Sequence, residues 1–467
     1  MRYISTRGQA PSLSLNDVLL TGLARDGGLY VPESWPQFSN ADLARMARLD
    51  YRQLAVEVIT PFVDGEIPHE DLVELVNGAY DSFSHQAIAP LVQVGPQHFV
   101  MELFHGPTLA FKDFALQLVG RLFDYVLKQR GERLTVVGAT SGDTGSAAIE
   151  ACRDREQVDI FILFPTGRVS EVQRRQMTTV PASNVFALSV EGDFDTCQDM
   201  VKAMFNDQGF RDQVSLGAVN SINWARIMGQ IVYYFWAALQ LGGAQRRVNF
   251  AVPTGNFGNV FAGYAAKQMG LDIGWLGVSS NRNDILARFF ESNDMSLRPV
   301  EPSHSPSMDI QVSSNFERLL FDLMGRDGQA VDAAITDFRA NGKLDVGQGG
   351  WERARELFDG YRLSDPDTLA AMAKWQGLAN GMVLDPHSVI GVDHAAARAP
   401  GDAPVVSLAT AHPAKFPDAV QKALGVQAEL PRHMADLFKR EERQTLMPAD
   451  LGKLQDFVRA NARKTAS

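Results

Sequence analysis

From about residue 96 to 280, apolar β-branched runs alternate with stretches whose apolar residues recur at helical spacing. The pairs are RLTVVGAT then SAAIEACRD, DIFILFP then VSEVQRRQM, NVFALSV then DTCQDMVKAMF, and VNFAVP then NVFAGYAAKQM. Strand followed by amphipathic helix, repeated, predicts an α/β fold with a largely parallel sheet. A further strand is expected at about 275–280 (WLGVSS) and a late one at 404–410 (PVVSLAT). Ahead of this region, helical periodicity covers roughly 39–60 and 69–82, between the turn-rich DGGLYVPE and the Pro-containing IAPLVQVGP, and predicts a small leading domain over 1–95. Residues 96–430 then form the main α/β region in two subdomains. An insertion is expected at about 281–350, opening on the Ser/Pro/Asn-rich SLRPVEPSHSPSMDIQVSSN and continuing as helical material to about 380. A polar helical tail is expected over 431–467.

Composition narrows the partners. The chain has 467 residues, 45% of them hydrophobic, enough for two or three buried cores. Lysine plus arginine number 44 against 55 acidic residues, a net charge of −11, which argues against a nucleic-acid or anionic-membrane partner. The two cysteines, Cys152 and Cys197, match no metal-ligand spacing and fit a reducing compartment. No metal site is expected. The N-terminal MRYISTRGQAPSLS lacks an apolar core of signal-peptide type, and the most apolar stretch, Ile231 to Leu239, falls short of the ~20 residues of a membrane span. A cytoplasmic protein acting on a small molecule is expected, as a monomer or homodimer.

Two strand-to-helix turns carry clustered small residues: ATSGDTGSAA (139–148) and PTGNFGNVFAG (253–263). Glycine lets the backbone curl and present a row of N–H donors at the positive end of the next helix, a ready anion site. Neither loop has the G-x-G-x-x-G of dinucleotide binders or the G-K-[ST] of P-loops. Tight turns of this kind also need glycine without a ligand, but two of them at carboxyl ends of strands favour a binding cleft.

A lysine completes the set. Lys112, in LFHGPTLAFKD, stands at the start of the amphipathic DFALQLVGRLFDYVLKQ, where the helix's positive end disfavours an ammonium. Burial behind Phe111 and Phe114 would also favour the neutral, nucleophilic amine. An amine for an aldehyde and backbone donors for a phosphate are what pyridoxal phosphate requires. A hydroxyl for its pyridine nitrogen could come from Thr410, at the end of the late strand. Lone histidines such as His105, His387 and His412 are read mainly as structural.

Seven ordered blocks, STRGQ, HGPTLAFKD, ATSGDTG, VNSINWARI, PTGNFGNVFAGY, SPSMDIQVSSNFER and LDPHSVIGV, together resemble the threonine synthase family of many bacteria and fungi, over nearly the whole chain. That family belongs to the fold-type II, tryptophan-synthase-β-like pyridoxal-phosphate enzymes and converts O-phospho-L-homoserine and water to L-threonine and phosphate. The resemblance implies that Lys112 holds the cofactor and moves protons. It likewise implies that Gly255, Asn256, Phe257, Gly258 and Asn259 cradle the cofactor's phosphate and that Thr410 meets its pyridine nitrogen. It assigns Thr140, Ser141, Gly142, Asp143 and Thr144, together with Gly145, to the loop for the substrate's carboxylate. Many relatives carry asparagine where Asp143 stands, so backbone N–H contacts are the expectation there. Asn220, Ser221, Asn223 and Arg226 are implied near the substrate, with Arg226 on its phosphate. The same N-x-x-N spacing also reads as ordinary helix capping. Serine or threonine dehydratases, and a related protein that binds without turnover, are the competing readings.

Overall fold

The computed structural model describes residues 1–63, 65–217, 221–398 and 401–463. Two sheets carry the chain. The larger has six strands in the order Phe358–Arg362, Ile273–Ser280, Val248–Pro253, Val405–Ala409, His98–Glu102, Leu91–Gly95. All neighbours in it run parallel except the last pair, which is antiparallel. The second sheet is wholly parallel, in the order Thr445–Met447, Val185–Val190, Val158–Pro165, Leu134–Ala139, Leu216–Gly217. The alternating pattern read from the sequence is therefore present, distributed over two sheets. The strands Val158–Pro165 and Val248–Pro253 are buried along nearly their whole length, as parallel strands covered on both faces must be.

The helix Lys112–Arg130 crosses from one sheet to the other. It packs against the helix Asp143–Cys152, and the contact is close because Gly120 has no side chain: a Cβ there would lie 2.2 Å from the Ala151 carbonyl oxygen. The leading residues share the same core. Tyr51 and Tyr80 pack edge-on at 5.1 Å, and Tyr51 lies 5.8 Å from Phe114 on the Lys112 helix.

Three sequence expectations need correcting. The helix expected at 39–60 is two helices, Asn40–Met46 and Tyr51–Val63. Asp50 and Gln53 cap each other's backbone N–H groups (2.9 and 3.1 Å), so a new helix starts there. The stretch read as helical to about 380 contains the edge strand Phe358–Arg362, whose partly exposed FDGYR gives only a weak two-residue period. The tail is not purely helical either, since Thr445–Met447 extends the second sheet beyond Val185–Val190 before the helix Leu451–Asn461. No helix among the described residues is long and apolar enough to cross a membrane. Both cysteines are buried and unpaired.

Candidate active site

Lys112 is the first residue of its helix, and the residue before it, Phe111, offers no side-chain cap. The lysine is buried (7% exposed). Its Nζ lies 3.3 Å from Asp143 Oδ2, 3.5 Å from Ser307 Oγ and 5.1 Å from the centre of the Phe111 ring. Burial lowers the amine's pKa below its ordinary value; Asp143 opposes that shift, while Lys415 and Arg226 add to it. The next residue, Asp113, accepts from the N–H (2.8 Å) and hydroxyl (2.6 Å) of Thr108, which locks the turn leading into Lys112.

The first glycine loop is shaped from within. Thr140 Oγ1 accepts from the N–H groups of Gly142 (3.0 Å) and Gly145 (2.9 Å), so its side chain is engaged in curling the loop. Gly142 has φ 142°, and a Cβ on it would lie 2.5 Å from Gln173 Cδ. Ser141 is exposed and Thr144 half-buried. Asp143 opens the helix Asp143–Cys152 and is buried; its Oδ1 takes Lys415 Nζ (3.0 Å) and Gln173 Nε2 (3.0 Å), while its Oδ2 takes Lys112 and the Ser307 hydroxyl (3.3 Å). Burial alone would push this carboxyl up, but Lys415 and Lys112 outweigh it and hold it well below the usual carboxylate range.

The second loop is tied to the stretch that the sequence left as either a crossover or a loop. Gly255 O accepts from Ser313 Oγ (2.8 Å), and Asn256 is bonded to Ser314 N (3.2 Å), Asn315 N (3.2 Å) and Ser221 Oγ (2.9 Å). The turn Pro306–Met308 of that stretch carries Ser307 over Lys112. A Cβ on Gly255 would lie 2.9 Å from Ser307 O, so the two segments fit only with glycine at 255. Phe257 adopts a left-handed φ of 63° and Gly258 begins the helix Gly258–Gln268, whose first N–H groups have no partner within the helix. The side-chain oxygen of Asn259 accepts from Tyr233 (2.6 Å) and Tyr234 (3.1 Å), while its Nδ2 is buried with no hydrogen-bond partner among the described residues.

Thr410 is buried after the strand Val405–Ala409; its N–H donates to Ser388 Oγ (2.8 Å) and its carbonyl accepts from Phe111 N (2.8 Å). Ser388 in turn donates to Asp385, which also holds His387 Nδ1 at 2.7 Å. Arg226 is 4% exposed, and its Nε and Nη1 have no hydrogen-bond partner among the described residues. Burial pushes this guanidinium down to about 10. Asn223 is a helix cap: its side chain accepts from Ala225 N (3.0 Å) and donates to Leu19 O (2.7 Å), so the capping alternative accounts for it. Asn220 lies outside the described residues.

These residues suit a cofactor with an aldehyde and a phosphate. A buried amine lies against Asp143 and Ser307, the helix starting at Gly258 offers first-turn N–H groups without partners inside the helix, and the Arg226 guanidinium has two nitrogens without a partner among the described residues. Three family descriptions match the chain: the threonine synthase N terminus over residues 2–80, pyridoxal-phosphate dependent enzyme over 85–340, and the threonine synthase C-terminal region over 388–458. The chain is 57% identical over 460 residues to the threonine synthase of Pseudomonas aeruginosa, covering 98% of both. It belongs to the threonine synthase family.

Solved threonine synthases agree in shape. The pyridoxal-phosphate-bound threonine synthase of Brucella melitensis superposes with a TM-score of 0.98 at 53% identity, over 99% of this chain and 100% of that one. The yeast threonine synthase gives 0.94 at 40% identity, over 98% of each. A threonine deaminase of Solanum lycopersicum, at 14% identity and a TM-score of 0.52 over 85% of this chain and 97% of that one, shares the fold alone. Like other threonine synthases, this chain is a pyridoxal-phosphate-dependent lyase of fold type II. Reading the sequence missed Lys415, Gln173, Ser307 and Asn315, all of which touch the loops of this threonine synthase site. Lys415 stands in the same TAHPAKF block as Thr410, the one local hint available.

Proposed function

We propose that this protein converts O-phospho-L-homoserine and water to L-threonine and inorganic phosphate, with pyridoxal 5′-phosphate as cofactor, in the cytoplasm. The observation that carries the reading is the buried Lys112 amine, facing Asp143 of the first glycine loop and Ser307, whose turn packs on Gly255 of the second. Lys112 would hold the cofactor, the backbone N–H groups of Gly255 to Asn259 its phosphate, and Thr410 its pyridine nitrogen. When bound, the cofactor draws electrons from the substrate's α-carbon and so lowers the cost of removing the neighbouring protons.

The chain's own groups do the rest. Lys112 Nζ, whose pKa burial lowers, takes protons from the α- and β-carbons and returns one to the γ-carbon as phosphate leaves and one to the α-carbon after water has added. Arg226, whose Nε and Nη1 lack partners among the described residues, holds the leaving phosphate through charge-assisted hydrogen bonds. The backbone N–H groups of Ser141, Asp143 and Thr144, which the loop's own hydrogen bonds leave over, take the substrate's carboxylate, while the Ser307 turn keeps bulk water from Lys112 until one water adds at the β-carbon.

A dehydratase would share the cofactor and the lysine but needs no second phosphate site. The tethered N terminus favours the synthase: Arg7 bonds Glu317 twice (3.1 and 3.1 Å) and Thr6 adds 2.6 Å, so STRGQ braces the segment that follows Asn315. The test is release of inorganic phosphate and threonine from O-phosphohomoserine by the purified enzyme. Lys112→Ala is expected to abolish turnover and the borohydride-reducible lysine–cofactor link while leaving the circular dichroism spectrum unchanged. Production of a 2-ketoacid from threonine, without phosphate release, would show the dehydratase instead.

A further inference from the structure

Lys415 is completely buried (0% exposed) yet takes no part in the chemistry described above. A lysine without water must have partners for its charge. It has two: Asp143 Oδ1 at 3.0 Å and the Thr108 carbonyl oxygen at 2.7 Å. Thr108 is the residue whose N–H and hydroxyl bind Asp113, beside Lys112. Lys415 itself sits in the turn Pro413–Lys415, capped by His412, and its carbonyl accepts from Ser170 Oγ at 3.2 Å. One ammonium thus joins the turn before Lys112, the glycine loop of the second sheet and the segment after the central strand of the first.

We propose that Lys415 is a positioning residue for the Lys112 amine, gripping Asp143 from the side opposite Lys112 so that the carboxylate orients the amine without retaining its proton. The charged and titratable groups around Lys112 are Asp143, Lys415 and Arg226, with Asp113 adjacent in sequence and His387 facing Asp143. Were Asp143 to face Lys112 alone, the two would form a closed buried ion pair, and that pair holds the ammonium. With Lys415 fixed on Oδ1, the carboxylate's charge is shared between two ammoniums, and Lys415 also repels a proton on Lys112 directly. Ser307 and Gln173 fix the rotation of the carboxylate by bonding one oxygen each.

The inference rests on Lys112 being the cofactor lysine, so its test is read on the full chain freed of cofactor by hydroxylamine. Competitive acetylation by acetic anhydride, followed by peptide mass spectrometry, gives the pH at which Lys112 becomes reactive. In Lys415→Met that midpoint should rise by about one unit, a roughly tenfold slower labelling of Lys112 at a fixed pH below it. In Asp143→Asn it should fall, and Lys415→Arg should restore most of the original value. The pH profile of phosphate release by the loaded Lys415→Met enzyme should move in the same direction. A purely structural Lys415 would lower activity or melting temperature and leave the labelling midpoint in place, which overturns the proposal. Should Lys415→Met fail to fold, two measurements decide. Lys415 in the wild-type chain must stay unlabelled where Lys112 reacts, and Asp143→Asn must lower the Lys112 midpoint; failure of either overturns it. Failure of Lys112→Ala to abolish turnover would instead remove the functional reading, independently of any shift seen in Lys415→Met.

Discussion

Gly142 and Arg226 are the residues whose replacement separates stability from catalysis most clearly. Gly142 has φ 142° and no room for a Cβ beside Gln173, so Gly142→Ala should destabilise by about 1–3 kcal/mol in denaturant titrations and displace Asp143. Phosphate release should fall at least about tenfold with it, since small misplacements of a reacting group are costly. Arg226→Met should do the reverse to stability. Removing a buried cation that lacks partners is neutral or stabilising, while kcat/KM for O-phosphohomoserine should fall by about two orders of magnitude, with cofactor binding retained. A destabilised Arg226→Met with unchanged kinetics would sink the phosphate role. At this scale the residue types were legible and their directions were not. Lys112 and Asp143 stood out because each begins a helix after a turn of small residues, but Asn223 and Asn259 carry the same letters as ligands and spend their side-chain oxygens on a cap and on two tyrosines. Lys415 was invisible for the opposite reason: a lysine near a proline turn is usually a solvated one, and only burial by the whole fold makes it otherwise.

Among the helices, the pair Lys112–Arg130 and Asp143–Cys152 fixes the distance between the amine and its carboxylate. Gly120 sets how closely they approach, so Gly120→Ala must push one helix off the other, at a cost of about 1–3 kcal/mol. The expected kinetic signature is a fall in kcat exceeding any change in KM, because the lesion is remote from the substrate and acts on the Lys112–Asp143 spacing. Steady-state kinetics beside a thermal melt would check it. The nearly continuous apolar runs of the strands Val158–Pro165 and Val248–Pro253 made them readable, whereas FDGYR and TLM sit at sheet edges, where half-exposed residues erase the pattern. The break between Met46 and Tyr51 was missed because apolar spacing continues across it and only the reciprocal Asp50–Gln53 caps mark it.

For the molecule as a whole, acidification acts through buried histidines. Burial lowers His98 and His412 from 6.5 to about 4, so the folded state favours their neutral forms, and the stability they contribute is lost as pH falls from 6.5 through 4. Asp113, pushed by burial from 3.8 up to about 6, works the other way: its contribution is complete below 3.8 and lost as pH rises through 6. Two groups outweigh one in that window, and Asp143, held low, adds its own loss only as pH falls below 3.8. The melting temperature should therefore drop between pH 6.5 and 4.5, and drop less in His98→Gln. Fold class and, in the leading segment, the helix His69–Tyr80 were readable at this scale; the division into two sheets was not, since strand order is set by packing between distant segments. That order also bears on how the chain is made. The strand Val405–Ala409 lies between Val248–Pro253 and His98–Glu102, so the earlier half of the large sheet has nothing to join until residue 409 has left the ribosome. From residue 253 to residue 409 synthesis must carry two open sheet edges, and a chain halted before that strand is a fragment with both edges bare, open to chaperones or to its own copies.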